Sequence, residues 1–193
     1  MKKFIVITLG VLVFMGACIN SNNSSASASD ETANTEEVTD SVNTDTNEVS
    51  EKTWDFTSDT DDMDDSVNKY YSLRSDNFAN FDFPYQGDSY LTITVRYMKK
   101  YGYDVLLNID KGQMVGNEYN GTNYVRVRFD NGKAEKYYYN EPSDGSADCV
   151  FIKNASKFIK KCKTAKTIII EQEFYQEGVH QFKFHVDKSL EMK

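Results

Sequence analysis

The sequence predicts a mainly β fold: a single β-sandwich or partly closed barrel over residues 53–193, with one late amphipathic helix, following a disordered tether. Several runs alternate apolar and polar residues with a period of two, which sends successive side chains to opposite faces of a strand. A single stretch repeats its apolar residues at helical spacing instead. The 12 Phe and 13 Tyr supply large side chains for a sheet-built core.

In chain order, Lys69–Arg74 and Asn77–Phe83 are the first strand candidates. Leu91, Ile93, Val95 and Tyr97 then alternate with Thr92, Thr94 and Arg96. Asp104–Ile109 follows. Val125, Val127 and Phe129 alternate with Arg126, Arg128 and Asp130, and Asp130-Asn131-Gly132 offers residues that tolerate positive φ. With Lys133–Tyr139 after it, 124–139 reads as a β-hairpin. Cys149–Ile152 is a short strand. Phe158, Ile159, Cys162 and Ala165 then fall on one helical face, with Asn154 or Ser156 as the cap and Lys157, Lys160, Lys161, Lys163 and Lys166 opposite. Thr167–Phe174, whose Ile168-Ile169-Ile170 reads as buried on both faces, precedes a last alternation of Phe182, Phe184 and Val186 against Gln181, Lys183 and His185. This order of strand, helix, strand, strand resembles the end of the invasion-associated locus B family, over roughly the last quarter of the chain.

The N-terminal third has a different composition. Lys2 and Lys3 precede the apolar run Phe4–Met15, which at helical rise spans about 18 Å against roughly 30 Å of hydrocarbon, and so reads as a secretory signal and not a membrane span. Met15-Gly16-Ala17-Cys18 resembles the lipobox of bacterial lipoproteins, with Met15 where the family usually has Leu. The resemblance implies cleavage before Cys18, lipid attachment at Cys18, and a protein held in the cell envelope on the outer membrane or cell surface. Residues 18–52 are rich in Ser, Asn, Thr, Ala, Asp and Glu and nearly devoid of large apolar side chains, a composition that does not bury enough surface to offset the entropy of ordering. As a flexible tether this length has a typical reach of about 30 Å, and the folded part begins near Trp54.

Charge is divided along the same lines. Residues 19–52 hold eight acids and one base, 53–65 add six aspartates, and 66–193 carry 19 bases against 16 acids, so the overall −8 belongs to the tether and domain entrance. The folded part has no basic stripe with interleaved aromatics that would mark nucleic acid as a partner. The membrane, through the lipid, and a protein or a glycan are the partners expected.

Catalytic and metal-binding patterns fail on spacing. In the run from Asp59 to Asp65 a calcium loop would need Gly at its sixth position and an acid at its twelfth, where Asp64 and Tyr70 stand. His180 and His185 are an odd number of residues apart on a strand and face opposite sides. Glu171 and Glu173 share a face at roughly 7 Å, a separation compatible with glycoside chemistry but also ordinary for a solvent-facing strand. Gly112, Gly116 and Gly121 lack the spacing of a phosphate loop. No catalytic residue, cofactor or metal is therefore assigned. Cys149 and Cys162 form either a disulfide in an oxidising compartment or two buried thiols. The candidate binding surface is the tyrosine-rich hairpin, with Tyr119, Tyr124, Tyr137, Tyr138 and Tyr139. Strand alternation turns Tyr138 away from Tyr137 and Tyr139, and an exposed tyrosine on a rigid sheet suits protein or glycan contacts.

Overall fold

The computed structural model describes residues 51–116 and 123–192. The signal, Cys18, nearly all of the tether and Tyr119 lie outside the described residues. Eleven strands and one helix succeed one another: β1 (Asp55–Thr60), β2 (Val67–Arg74), β3 (Ala79–Phe81), β4 (Gly87–Ser89), β5 (Leu91–Met98), β6 (Gly102–Ile109), β7 (Tyr124–Phe129), β8 (Glu135–Asn140), β9 (Cys149–Ile152), α1 (Ala155–Cys162), β10 (Thr167–Phe174) and β11 (Gly178–His185). The fold is mainly β with a late helix, as the periodicity predicts.

Nine strands form one antiparallel sheet in the order β1-β2-β5-β6-β9-β8-β7-β10-β11, and β3 and β4 make a separate hairpin. The sheet is not a closed barrel. It does bend round, because the chain leaving β2, near one end of the order, reaches the outer edge of β11 at the other. There the Asp76 N–H donates to the Lys183 carbonyl (2.7 Å), and the Lys183 N–H donates to Asn77 Oδ1 (2.7 Å). Asn77 Nδ2 donates to the Gln181 carbonyl (2.8 Å), and the His185 N–H to Asp76 Oδ2 (2.7 Å). The Asp76 N–H and the side chains of Asp76 and Asn77 thus occupy backbone groups that an edge strand would leave open to another chain.

The inner face carries the alternating residues. Leu91, Ile93 and Val95 of β5, Val105 and Leu107 of β6, Val125 and Val127 of β7, and Phe182 and Phe184 of β11 are fully buried. On β10 the expected two-sided burial does not hold. Ile168 and Ile170 are buried, while Ile169 faces outward and is only half-buried. Its cross-strand neighbours are Arg128 and Lys183, both exposed.

The helix closes the core. Asn154 is its N-cap, the side-chain oxygen accepting from the Lys157 N–H (3.2 Å), and Phe158, Ile159 and Cys162 are its buried residues. Phe158 lies between Phe129 and Tyr137, with ring centroids at 5.4 and 5.3 Å and near-perpendicular planes. Lys160 and Lys161 occupy its last turn, where positive charge complements the helix dipole.

Candidate binding surface on the tyrosine hairpin

The β7–β8 hairpin is set by register. Tyr124 opposes Tyr138, Val125 opposes Tyr137, and Arg126 opposes Lys136. Asp130, at φ 49°, holds the turn, and its Oδ1 accepts from the N–H groups of Lys166 and Thr167 (2.8 and 2.9 Å), tying the hairpin to the start of β10. Alternation divides the tyrosines. Tyr137 and Tyr139 point into the core at 3% exposure each, while Tyr138 faces outward at 42%. Tyr124 packs edge-on against Tyr138 (6.1 Å), and the Lys136 ammonium lies 3.8 Å from the centre of the Tyr124 ring.

A groove opens beside this face because β9 covers only part of β8. The two strands pair at Tyr139↔Ile152 and Asn140↔Phe151. Lys153 then donates its N–H to the Tyr138 carbonyl (2.8 Å), and the chain turns at Asn154 into α1. The uncovered space, about 490 Å³, is lined by Lys136, Tyr137, Tyr138, Lys153, Asn154 and Lys157. Its lysines are held differently. Lys157 pairs with Glu135 (2.5 Å), holding that carboxyl below its usual range, and its ammonium lies 5.1 Å from the centre of the Tyr137 ring. The Lys153 ammonium has no ion-pair partner among the described residues. The Tyr137 hydroxyl is buried and has no hydrogen-bond partner among the described residues.

Burial raises both inward tyrosines to about 12; for Tyr139 a hydrogen bond with Gln172 opposes the rise in part. Unfolded tyrosine ionises near 10. Between pH 10 and 12 the unfolded chain releases phenol protons that the folded chain retains, so the stability these groups contribute is complete below pH 10 and lost as pH rises toward 12. The Tyr139 hydroxyl donates to the Val115 carbonyl (3.1 Å), which also accepts from Gln172, so Tyr139→Phe leaves that carbonyl satisfied. Urea unfolding at pH 9 and pH 11 is expected to show a smaller alkaline drop for Tyr137→Phe/Tyr139→Phe than for the parent. Equal drops would refute the assignment.

No protein-family model, curated protein or solved structure matches the chain. The surface is therefore read from its own chemistry. Cys149 and Cys162, the candidate disulfide, are two separate buried thiols, Cys162 on the inner face of α1 and Cys149 at the start of β9. Burial raises both, Cys149 to about 11, so neither thiol is ionised near neutral pH. Glu171 binds Arg126 (2.6 Å) through one oxygen and accepts from Gln181 (2.7 Å) through the other, which makes it a cross-strand tie on the outer face. His180 stacks edge-on against Phe81 on the inner side, and His185 lies on the outer side beside Asp187. Asp61 and Asp64 accept from the N–H groups of Met63 and Ser66 and so shape the β1–β2 turn. Among the described residues no group of acids, histidines and cysteines could hold a metal, and no helix is long and apolar enough to cross a membrane.

Sequence reasoning found the outward tyrosine but missed the groove. Lys136 is remote in sequence from Lys153 and Lys157, and only the departure of β9 into α1 brings the three together. One signal was available: from Cys149 to Ile170 the chain holds six lysines and no acid.

Proposed function

We propose that the chain is a cell-envelope lipoprotein, anchored by lipid on Cys18, that presents the β domain as a non-enzymatic binding module. The observation that carries the binding half is the outer hairpin face. Tyr138 and Tyr124 meet in cross-strand contact on a rigid sheet, with the lysine-lined groove beside them. Aromatic rings held this way contribute contact area with little rotamer entropy to lose. The anchoring half is supported by Lys2, Lys3, the short apolar run and Met15-Gly16-Ala17-Cys18. Each buried CH₂ of an acyl chain contributes about 0.8 kcal/mol, so stable attachment needs more than one chain, as lipoproteins carry.

Cell fractionation with labelled fatty acid tests the anchor. Cys18→Ala is expected to abolish labelling and processing. A variant that keeps its label and is processed like the parent would refute lipid attachment at Cys18.

A second reading, an inhibitor or immunity-type protein that blocks an envelope-acting enzyme, is favoured by another observation. All six residues of the edge strand β1 are exposed, and the aspartate-rich turn 61–65 follows it, which suits a basic active site. Retention of a stoichiometric hydrolase, lost on neutralising Asp59, Asp61 and Asp62, would select that reading over the hairpin face.

A further inference from the structure

We infer that the groove between β8 and α1 binds an acidic glycan: its lysines take the negative groups and Tyr138 takes a sugar face. The inference deepens the binding-module reading and rests on it, but is independent of the lipid anchor.

Charge selects an anion. Lys136, Lys153 and Lys157 converge on one hollow, where Glu135 is paired to Lys157. Lys160 and Lys161 on the helix and Lys163 and Lys166 just after it are exposed as well. A concavity lined by one sign of charge concentrates counter-charged ligands, and the effect is strongest for a polymer that meets several sites at once.

The character of α1 argues against a lipid bilayer as the source of the anions. Interfacial helices bury an apolar face among the acyl chains. Here Phe158, Ile159 and Cys162 are already committed to the core, and the large hydrophobic exposed at the groove is Tyr138. A surface of ammonium groups without an apolar wedge fits a soluble polyanion. Within that class, Tyr138 distinguishes a glycan. Tyr138 is 42% exposed, its ring is braced from one side by Tyr124, and it borders the same hollow as the lysines. A flat ring beside cationic groups matches a sugar, which offers C–H groups on one face and a carboxylate or phosphate at its edge. The Lys153 ammonium, exposed and without an ion-pair partner among the described residues, gives the site a charge left for a ligand.

The full chain in detergent micelles, titrated by calorimetry with a polygalacturonate oligomer, tests the assignment. Binding that weakens with salt is expected, together with none to a neutral dextran oligomer of the same length. Lys153→Glu is expected to weaken binding by about tenfold or more, while Lys100→Glu, the same charge change in the β5–β6 turn, leaves it unchanged. Tyr138→Ala is expected to weaken binding by a smaller factor without altering the salt dependence. Thermal unfolding of each variant distinguishes a lost site from a lost fold. Equal binding of the neutral and acidic oligomers, or an unchanged constant for Lys153→Glu, would overturn the inference. So would tighter binding to a single-stranded oligonucleotide or to phosphatidylglycerol vesicles. A protein partner retained through Tyr138 with no oligosaccharide binding would overturn the glycan class while leaving the binding module in place.

Discussion

Phe158→Ala is expected to destabilise the domain by about 3–5 kcal/mol, a large share of the total for a domain of this size. Phe158 has no exposed surface, and its ring lies in near-perpendicular contact with Phe129 of β7 and Tyr137 of β8. Removing it opens a cavity that neighbours fixed in a sheet cannot readily fill. The helix spans only eight residues, too few to persist in water on local propensity, so its existence depends on this packing. Denaturant unfolding measures the loss. Lys160→Ala, on the exposed face of the same helix, is expected to stay within about 0.5 kcal/mol of the parent and so controls for helix propensity. A loss for Phe158→Ala no larger than that of Lys160→Ala would mean that the helix is held by something other than its aromatic seat. The seat also bears on the groove, because the turn at Asn154 and the side chain of Lys157 are positioned by the same short helix.

How far the fold was legible in the sequence depended on how each strand is buried. Segments with one face inside and one outside declared themselves. β5, β7 and β11 each alternate cleanly, and each takes the predicted facing. β1 gave no such signal, since Asp55-Phe56-Thr57-Ser58-Asp59-Thr60 is exposed along its whole length and is held by its ladder with β2. A period of two records burial on one side, and a strand without a buried side has none to record. On β10 the three isoleucines suggested a strand covered on both faces, but Ile169 stands half-buried on the outer face between Arg128 and Lys183 in register. Beyond the 124–139 hairpin, which pairs as β7 and β8, strand order was not legible. That β9 lies between β6 and β8, and that the chain after β2 meets β11, follow from contacts remote in sequence.

The candidate site divides along the same line. The outward turn of Tyr138 is a local consequence of alternation and was readable. The groove is a consequence of where β9 stops pairing, which depends on the helix cap at Asn154 and on the length of β8. Of the alternatives left open for the cysteines, the helix decided between them. Cys162 completes the apolar face that Phe158 and Ile159 begin, and is buried with them as a free thiol.

Gly112→Ala carries the second large expected effect, a destabilisation of about 2–4 kcal/mol from backbone strain and overpacking together. Gly112 follows β6 at φ 110°, a conformation that residues with a Cβ rarely adopt. A Cβ there would stand 2.6 Å from Cε2 of Phe81 and 3.5 Å from Phe174. Phe81 cannot readily yield, because its ring is buried between Phe174 (5.0 Å) and His180 (5.2 Å). Gly145→Ala separates the two contributions. Gly145 has φ 78° with nothing within 4 Å of its Cβ position, so that variant carries the conformational cost alone, about 1–2 kcal/mol. Equal losses in the two variants would show that Phe81 moves aside at no cost. If the clash is real, Phe81→Leu in the Gly112→Ala background should recover part of the loss, although Phe81→Leu alone is destabilising, a sign of coupling that two independent sites would not give. Gly112 precedes Met114, which bridges to Phe174, so the close approach of its backbone is what lets the connection after β6 lie against the β10–β11 end of the core.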